Sequence, residues 1–191
     1  MDKTYIGLIS KNRRGKDSVG NLVRKLRPEL SVQVIRFSDS LNRILGTMEL
    51  PLNRKLQQGL SEGVRREYGQ DVLSKRVHQD ALESDARIVI INGVRRPADV
   101  ELLRTLPDFH LIHVSAPPEL AYEWMKRANE REGDASKTYG QFLEEDRAEP
   151  EQLIDETAKS ADWTIVNDED DPSFAKLTSE TERMLKARIT S

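Results

Sequence analysis

The sequence contains no cysteine in its 191 residues, which excludes disulfide bridges and thiolate metal sites. Its three histidines, His78, His110 and His113, do not show the spacing of metal ligands. His110 and His113 fall in a predicted strand, where we interpret them as ordinary side chains at a sheet edge or face. The sequence therefore indicates no metal centre built from cysteine or histidine.

Long apolar runs are also absent, and the N-terminus shows no signal-peptide pattern. We therefore expect a soluble, cytoplasmic protein with no membrane partner. The formal net charge is −3, which argues against a general nucleic-acid binder. Hydrophobic residues make up 37% and charged residues 33%, which suits one domain with an adequate core and a heavily charged surface. The sequence does not indicate an oligomeric state.

Charge is distributed unevenly along the chain. Residues 11–27 are strongly basic, whereas residues 144–171 carry an excess of aspartate and glutamate. A basic segment on an acidic protein indicates a localised anion site rather than a track for a polyanion.

Apolar runs of strand length alternate with helical segments, which predicts an α/β fold around a parallel sheet. Five strands are predicted, at 4–9, 32–37, 87–92, 109–115 and 162–167. The third run is nearly all β-branched, as expected for a strand covered on both faces, and we place it in the middle of the sheet.

Helical signals fill the segments between these strands. Pro97 and Pro118 stand where early helical positions would follow a strand, and Thr138 with Gln141 fits a capping box. The segment between the second and third strands is too long for one crossover helix. It therefore predicts a small helical insert at about 38–85.

Another irregular region follows the fourth strand. Residues 118–128 are predicted to be helical, and the polar segment 129–137 predicts a mobile flap. Three aromatic residues nearby are interpreted as core or flap-packing residues: Tyr122, Trp124 and Phe142.

The first predicted strand leads into a polar loop, then Gly15-Lys16, then a helical sequence. This is the context of a phosphate-binding loop, in which backbone N–H groups and the lysine face the anion. Compared with G-x-x-x-x-G-K-[ST], Ser10 replaces the first glycine and Asp17 replaces the hydroxyl residue. The alternative is an ordinary basic loop at a helix start. The candidate phosphate-binding residues are Ser10, Lys11, Asn12, Arg13, Arg14, Gly15, Lys16, Asp17 and Ser18.

Four of these loop residues are basic, and like charges repel one another, so we expect an anionic ligand beside them. Mg²⁺ prefers oxygen ligands and usually keeps several waters. Asp17 and Ser18 are the candidate metal ligands, although a carboxylate at position 17 would repel phosphate if no metal were bound.

In open α/β sheets, ligands bind beyond the C-terminal ends of the strands. The second strand is followed by Ser38 and Asp39, with Arg43 one turn further on, and the third by Arg95 and Arg96. Basic groups that converge on one rim indicate a bound anion, whereas the alternative for Arg95 and Arg96 is a solvated turn before a proline.

The flap contributes further arginines. Arg127 and Arg131 are four residues apart and share a helix face if the helix continues that far, with Arg147 on the other side of the flap. Guanidinium groups bind phosphate oxygens in a bidentate way. The alternative is that these arginines form weak surface ion pairs.

Taken together, these residues resemble P-loop kinases of the nucleoside monophosphate kinase type, whose relatives include adenylate kinase and dephospho-coenzyme A kinase. Residues 13–18 are similar to the Gly-Lys-Asp-Thr loop of deoxynucleoside monophosphate kinases and phosphomevalonate kinases. Residues 92–100 are similar to an Asp-Gly-x-Arg segment, which implies that Arg95 contacts the acceptor phosphate. Asn92 stands where many relatives have the aspartate that helps to hold Mg²⁺ through water.

The resemblance implies further roles. Arg127 and Arg131 resemble lid arginines that close over the transferring phosphate, and residues 161–167 resemble a strand ending that would bring Asn167 near the ATP base. Arg54 and Arg65 lie in the insert, where they would contact the acceptor.

The implied protein has a three-layer P-loop NTPase fold, with a five-stranded parallel sheet, an acceptor-binding insert at about 38–85 and a lid at about 127–147. It would use ATP and Mg²⁺ to phosphorylate a small phosphorylated acceptor, foremost a nucleoside or deoxynucleoside monophosphate. The implied catalytic residues are Lys16, Arg95, Arg127 and Arg131. Dephospho-coenzyme A or phosphomevalonate kinase activity is the alternative within enzymes. The departures at Ser10 and Asn92 also leave open a non-catalytic nucleotide-binding protein.

Overall fold

The structure, a computed structural model, describes residues 3–129, 133–147 and 149–189. The five predicted strands are confirmed, and their boundaries differ from the predicted ones by at most two residues. The strands are β1 (Thr4–Ile9), β2 (Val32–Arg36), β3 (Ile88–Val94), β4 (Phe109–Ser115) and β5 (Trp163–Val166).

The strands form one parallel sheet in the order β2-β3-β1-β4-β5. The middle strand is β1, so the placement of the third strand at the centre was wrong by one position. Every residue of β1 is buried, and β3 is buried except at Gly93. Both strands are covered on both faces, so an apolar pattern by itself does not reveal which of them is central.

Nine helices lie within the described ranges, and they fill the connections between the strands. They are α1 (Lys16–Leu26), α2 (Phe37–Thr47), α3 (Arg54–Tyr68), α4 (Val72–Glu83), α5 (Pro97–Leu103), α6 (Pro118–Ala128), α7 (Tyr139–Asp146), α8 (Glu149–Ala158) and α9 (Ala175–Arg188). Between β2 and β3 the chain forms α2, α3 and α4. No helix of the described residues is both long and apolar enough to cross a membrane.

The predicted helix starts are confirmed. Pro97 and Pro118 are the first residues of α5 and α6. A backbone N–H at this position has no acceptor within the helix, so proline costs no helical hydrogen bond there. At the start of α7, Gln141 donates its backbone N–H to the Thr138 hydroxyl, and the Thr138 backbone N–H donates to the side-chain Oε1 of Gln141. The end of α6 at Ala128 also matches the predicted boundary.

Alternate side chains of the strands supply two hydrophobic cores, one on each face of the sheet. Along β1, Tyr5 and Ile9 point into one core, and Ile6 and Leu8 point into the other. The first core includes residues of α2, α4, α5 and α8, and the second includes residues of α1 and α9. The result is the three-layer P-loop fold that was predicted, with the C-terminal ends of all five strands at one edge.

Candidate active site

The loop that joins β1 to α1 has one position that requires glycine. Gly15 has a φ of 95°, and a Cβ there would lie 2.6 Å from the Asn167 side-chain nitrogen. The serine at position 10 causes no comparable problem, because Ser10 is buried with a negative φ and donates its hydroxyl to the Lys11 carbonyl. Arg13 is the non-glycine loop residue with a left-handed backbone, at φ 60°. Serine at position 10 is therefore compatible with the backbone of this loop.

Two cavities meet at this loop. One, of about 550 Å³, lies between the loop, α6 and residues 167–174, and we call it the α6 cavity. The other, of about 1050 Å³, lies between the loop, the start of α3 and residues 92–95, and we call it the α3 cavity. Asn12, Lys16 and Asp17 line both cavities. A ligand in either cavity therefore contacts the start of α1.

The α6 cavity has an aromatic and acidic wall that the sequence did not predict. Asp170 accepts hydrogen bonds from the Trp124 indole N–H, at 2.9 Å, and from Arg127. Trp124 thus lines a cavity, which corrects its interpretation as a core or flap-packing residue. Phe174 lines the same cavity, 47% exposed and with a left-handed backbone. On the loop side, Asn167 donates to the Arg14 carbonyl at 3.3 Å.

The α3 cavity is lined by more cations than anions. Its basic residues are Lys16, Arg36, Arg54, Lys55, Arg95 and Lys137, and its acidic residues are Asp17, Asp134 and Glu145. Ser38 also lines it. A polar cavity with an excess of positive charge attracts an anionic ligand.

Several predicted site residues lie elsewhere. Arg43 and Asp39 line a separate groove along β2, and the Asp39 carboxylate accepts the Arg36 N–H at 2.8 Å, which caps α2. Arg65 is buried in an ion pair with Asp99, at 3.2 Å. Asp39 and Arg65 therefore have structural partners away from the two cavities, and Arg43 lines neither of them.

Two further arginines of the predicted site also lie outside both cavities. Arg96 donates to the Gln70 side chain at 2.9 Å and lines neither cavity, and Arg147 ends α7 and also lines neither. Arg131, one of the predicted lid arginines, lies outside the described residues.

Three of the four basic loop residues are neutralised within the chain. We call the following ion pairs the latch: Lys11–Asp155 at 2.7 Å, Arg13–Asp134 at 2.6 Å and Arg14–Asp146 at 2.9 Å. The positive charge of these three residues is therefore balanced within the chain and does not by itself require an anionic ligand, so anion binding at this loop stays a prediction. The acidic segment of the sequence supplies part of the balance, because it contains Asp146 and Asp155.

Lys16 pairs instead with its neighbour in the chain. Its ammonium lies 3.1 Å from Asp17 Oδ2, and Asn92 Nδ2 donates to Asp17 Oδ1 at 2.7 Å. Partial burial alone would raise the pKa of Asp17. The charge and hydrogen bond of Lys16, the hydrogen bond from Asn92 and the charge of Arg36 outweigh it and hold that pKa below its ordinary value. Asp17 is thus held as a carboxylate where the cavities meet.

The oxygen atoms at this point suit a magnesium ion that also binds phosphate. No cluster of three potential metal-ligating side chains occurs within the described parts of the chain. Mg²⁺ does not need such a cage, because it usually binds one or two protein oxygens together with waters and substrate phosphates. Asp17 and Ser18 fit that arrangement, and Asn92 Oδ1 nearby is buried without a hydrogen-bond partner.

His113 lies in β4, beside the latch, and we expect it to make stability depend on pH. Burial lowers the pKa of His113, while the charge of Asp155 raises it and that of Lys11 lowers it further. The folded protein disfavours the protonated ring, so neutral His113 contributes to the free energy of unfolding above pH 6.5. This contribution is lost as the pH falls through the pKa of His113 in the folded protein.

His113→Gln should therefore flatten the decline of unfolding free energy between pH 7.5 and 5.5. Urea denaturation at several pH values measures this, and parallel curves for the variant and the wild type would refute the expected role of His113.

Sequence relatives of the chain carry one shared description. A scan against protein-family models finds no match. The chain is 30% identical over 166 residues to a UPF0200 protein of Saccharolobus islandicus, covering 85% of this chain and 86% of the relative. It is 27% identical over 177 residues to a UPF0200 protein of Pyrococcus abyssi, with 90% of each chain covered.

Solved structures with the same fold include small-molecule kinases. Shikimate kinase from Bacteroides thetaiotaomicron aligns with a TM-score of 0.61 and 15% identity, over 96% of this chain and 97% of that one. A gluconokinase from Sinorhizobium meliloti aligns with a TM-score of 0.50 and 11% identity, over 96% and 94% of the two chains. At these identities the likeness establishes the P-loop fold.

Proposed function

The chain belongs to the UPF0200 protein family, and we propose that it is an ATP-dependent phosphotransferase with a small phosphorylated acceptor. One observation carries the proposal: Lys16 and Asp17, at the start of α1, line both cavities. A kinase needs such a point, where the phosphates of donor and acceptor meet beside a helix N-terminus and a lysine. The kinase neighbours of the same fold support this reading.

The α6 cavity suits the donor nucleotide. The loop and the first turn of α1 supply backbone N–H groups for the phosphates. At the far end, Trp124 and Phe174 present aromatic faces for a purine, and the Arg127 guanidinium can stack on the base. Asn167 lines the same cavity and supplies a polar edge for recognition of the base.

The α3 cavity suits an acceptor that already carries a phosphate. Arg36, Arg54 and Arg95 line it together with Lys16, and a neutral acceptor would not require this excess of positive charge. Its volume of about 1050 Å³ exceeds that of most small-ligand sites and accommodates a nucleotide. The amide side chains of Gln57 and Gln58 also line the cavity and offer donors and acceptors for a base. These features favour a nucleoside or deoxynucleoside monophosphate.

The proposed reaction moves the γ-phosphoryl group of ATP onto an oxygen of the acceptor. A new P–O bond forms to the acceptor, the bond between the γ-phosphorus and the bridging oxygen breaks, and ADP leaves with that electron pair. Lys16 and Arg95 neutralise the charge that develops on the transferring group. Asp17 and Ser18 would hold Mg²⁺, which would supply further charge neutralisation when bound. The described residues of the predicted lid, 127–129 and 133–147, would exclude water, which would otherwise accept the phosphoryl group.

A second candidate is a nucleotide-binding protein that does not catalyse transfer. The observation that favours it is Asn92, an uncharged residue of β3 beside the proposed cation site. Such a protein would bind ATP and release it unchanged.

An acceptor panel tests the proposal. We expect ADP release from ATP and Mg²⁺ in the presence of one class of acceptor, chosen from nucleoside and deoxynucleoside monophosphates, dephospho-coenzyme A, phosphomevalonate, shikimate and gluconate. Lys16→Ala protein, purified in the same way, is the blank because it carries the same contaminating kinases. Turnover with a phosphorylated acceptor that is absent in the blank supports the proposal, and the acceptor identifies the subclass.

Other outcomes of the panel contradict parts of the proposal. Turnover confined to shikimate or gluconate overturns the phosphorylated acceptor. ATP binding by calorimetry without turnover on any acceptor favours the non-catalytic alternative. Absence of ATP binding removes the assignment of the loop as well.

A further inference from the structure

A carboxylate and an amide are hydrogen-bonded to each other at the junction of the two cavities. The carboxylate belongs to Asp17, the second residue of α1, and the amide belongs to Asn92, which lies inside β3, two residues before its end. Asn92 Nδ2 donates to Asp17 Oδ1 at 2.7 Å, and Asn92 is only 5% exposed. Asp17 keeps its second oxygen 3.1 Å from the Lys16 ammonium.

We propose that Asn92 is a positioning residue that works as a unit with Asp17. In this unit the amide fixes the carboxylate where the cavities meet, and the carboxylate receives the divalent cation that accompanies the nucleotide phosphates. This inference rests on the proposed function, since it concerns the cation of the same site. It gives Asn92 a role in cation binding, whereas the uncharged residue at this position of β3 otherwise favours a non-catalytic protein.

The chemistry of the contact supports this pairing. An ionised carboxylate only accepts hydrogen bonds, so the amide nitrogen of Asn92 must face Asp17. A carboxylate at position 92 would instead bring two negative charges within hydrogen-bond distance, and one of them would take up a proton or require a cation at all times. The Asp17 carboxylate therefore needs a neutral hydrogen-bond donor beside it, and the amide of Asn92 supplies one.

The other end of the amide points to a ligand. Asn92 Oδ1 is buried and has no hydrogen-bond partner, although Asn92 lines the α3 cavity. Rotating the amide by 180° would not solve this, because it would break the hydrogen bond from Nδ2 to Asp17 and place Oδ1 beside the carboxylate. Buried carbonyl oxygens normally have a partner. A water of the cation's hydration shell is a donor of the right kind to complete the site.

The test measures how much Mg²⁺ strengthens ADP binding, by titration calorimetry with Mg²⁺ and with EDTA. Asp17→Asn should abolish most of the gain from Mg²⁺, because it removes the charge while keeping the size of the side chain. Asn92→Leu should reduce the gain by about 10–100-fold, as expected when the partner of a metal ligand is lost. In EDTA, Asp17→Asn should not weaken ADP binding, because the carboxylate that it removes repels phosphate when no metal is bound, so its loss of affinity should appear only with Mg²⁺.

The exchanged double variant, Asp17→Asn with Asn92→Asp, separates the pair from either residue alone. It reverses the direction of the same hydrogen bond and keeps one negative charge, so we expect it to regain most of the gain that Asp17→Asn loses. Mn²⁺ binding in the presence of ADP, followed by electron paramagnetic resonance, should give the same order of variants. Thermal unfolding checks that each protein is folded.

Two results with the variants would overturn the inference. One is an unchanged Mg²⁺-dependent gain in Asn92→Leu, which would remove the positioning role. The other is an exchanged double variant no better than Asp17→Asn, and this comparison remains available if Asn92→Leu fails to fold. A wild-type protein that binds ADP without any gain from Mg²⁺ also contradicts the inference and leaves nucleotide binding intact, whereas absence of ADP binding contradicts the proposed function itself.

Discussion

Replacing Lys16 by alanine is expected to lower the rate of phosphoryl transfer by about 10²–10³-fold, the usual loss when one group that stabilises transition-state charge is removed. Lys16 is the first residue of α1 and lines both cavities, so its ammonium lies between the proposed donor and acceptor phosphates. Its partner in the chain is the adjacent Asp17, which is mostly exposed, so the loss of stability should be small.

Lys25→Ala is the matched control for this variant. Lys25 lies on the last turn of the same helix and is exposed, so its removal takes away an equal charge far from the cavities. We expect wild-type kcat for Lys25→Ala and unchanged thermal unfolding for both proteins. Turnover of Lys16→Ala at the wild-type rate, with the acceptor saturating, would show that Lys16 does not act on the transferring group.

Replacing Asp146 by asparagine is expected to destabilise the protein by about 3–5 kcal/mol, because it leaves a buried positive charge without its counter-ion. The Arg14 side chain is 4% exposed, donates to Asp146 at 2.9 Å and lies over the Phe142 ring. Lys11 also lies 3.8 Å from the same carboxylate. Urea denaturation at neutral pH measures the loss of free energy of unfolding.

Asp155→Asn makes the same chemical change in an exposed part of the latch. Asp155 pairs with Lys11 at 2.7 Å, but its side chain is 61% exposed, so the expected loss is below about 1 kcal/mol. Equal destabilisation by the two variants would mean that burial of Arg14 is not what makes its partner important. A loss below about 1 kcal/mol in Asp146→Asn would contradict the prediction directly.

The elements of this fold are readable from the sequence because each depends on neighbouring residues. The β-branched run of β3 and the prolines that open α5 and α6 are local signals, and the structure confirms them. Which strand is central depends instead on pairing between distant segments. Both β1 and β3 are apolar throughout, so local pattern does not separate them.

The same limit explains the arginines that do not reach the cavities. Arg54 and Arg65 belong to one helix, and the sequence predicts the same contact with the acceptor for both. Arg54 begins α3 and lines the α3 cavity, whereas Arg65 lies three turns later, about 16 Å along the helix axis. There it meets Asp99, the residue that makes its burial possible. Only the ion pair with Asp99, which comes from a distant segment of the chain, distinguishes the two.

Residues of the α6 cavity were missed for a related reason. Asp170 and Phe174 follow β5 in a segment without helical or strand periodicity, and Trp124 reads as one more apolar position of α6. The sequence contains no local signal that brings Trp124 and Asp170 together. Their contact depends on the order of β4 and β5 in the sheet.

The latch also has a consequence for the order in which the protein is assembled. Its Arg13–Asp134 and Arg14–Asp146 pairs join residues that are 121 and 132 positions apart. Contacts over such long separations form late in folding, because a large loop of chain must first be closed. During synthesis from the N-terminus, the loop after β1 therefore emerges long before its counter-ions. Until residues 134–155 have been made, the positive charges of this loop are not balanced by these carboxylates, and the proposed nucleotide site is among the last parts of the chain to reach its final charge balance.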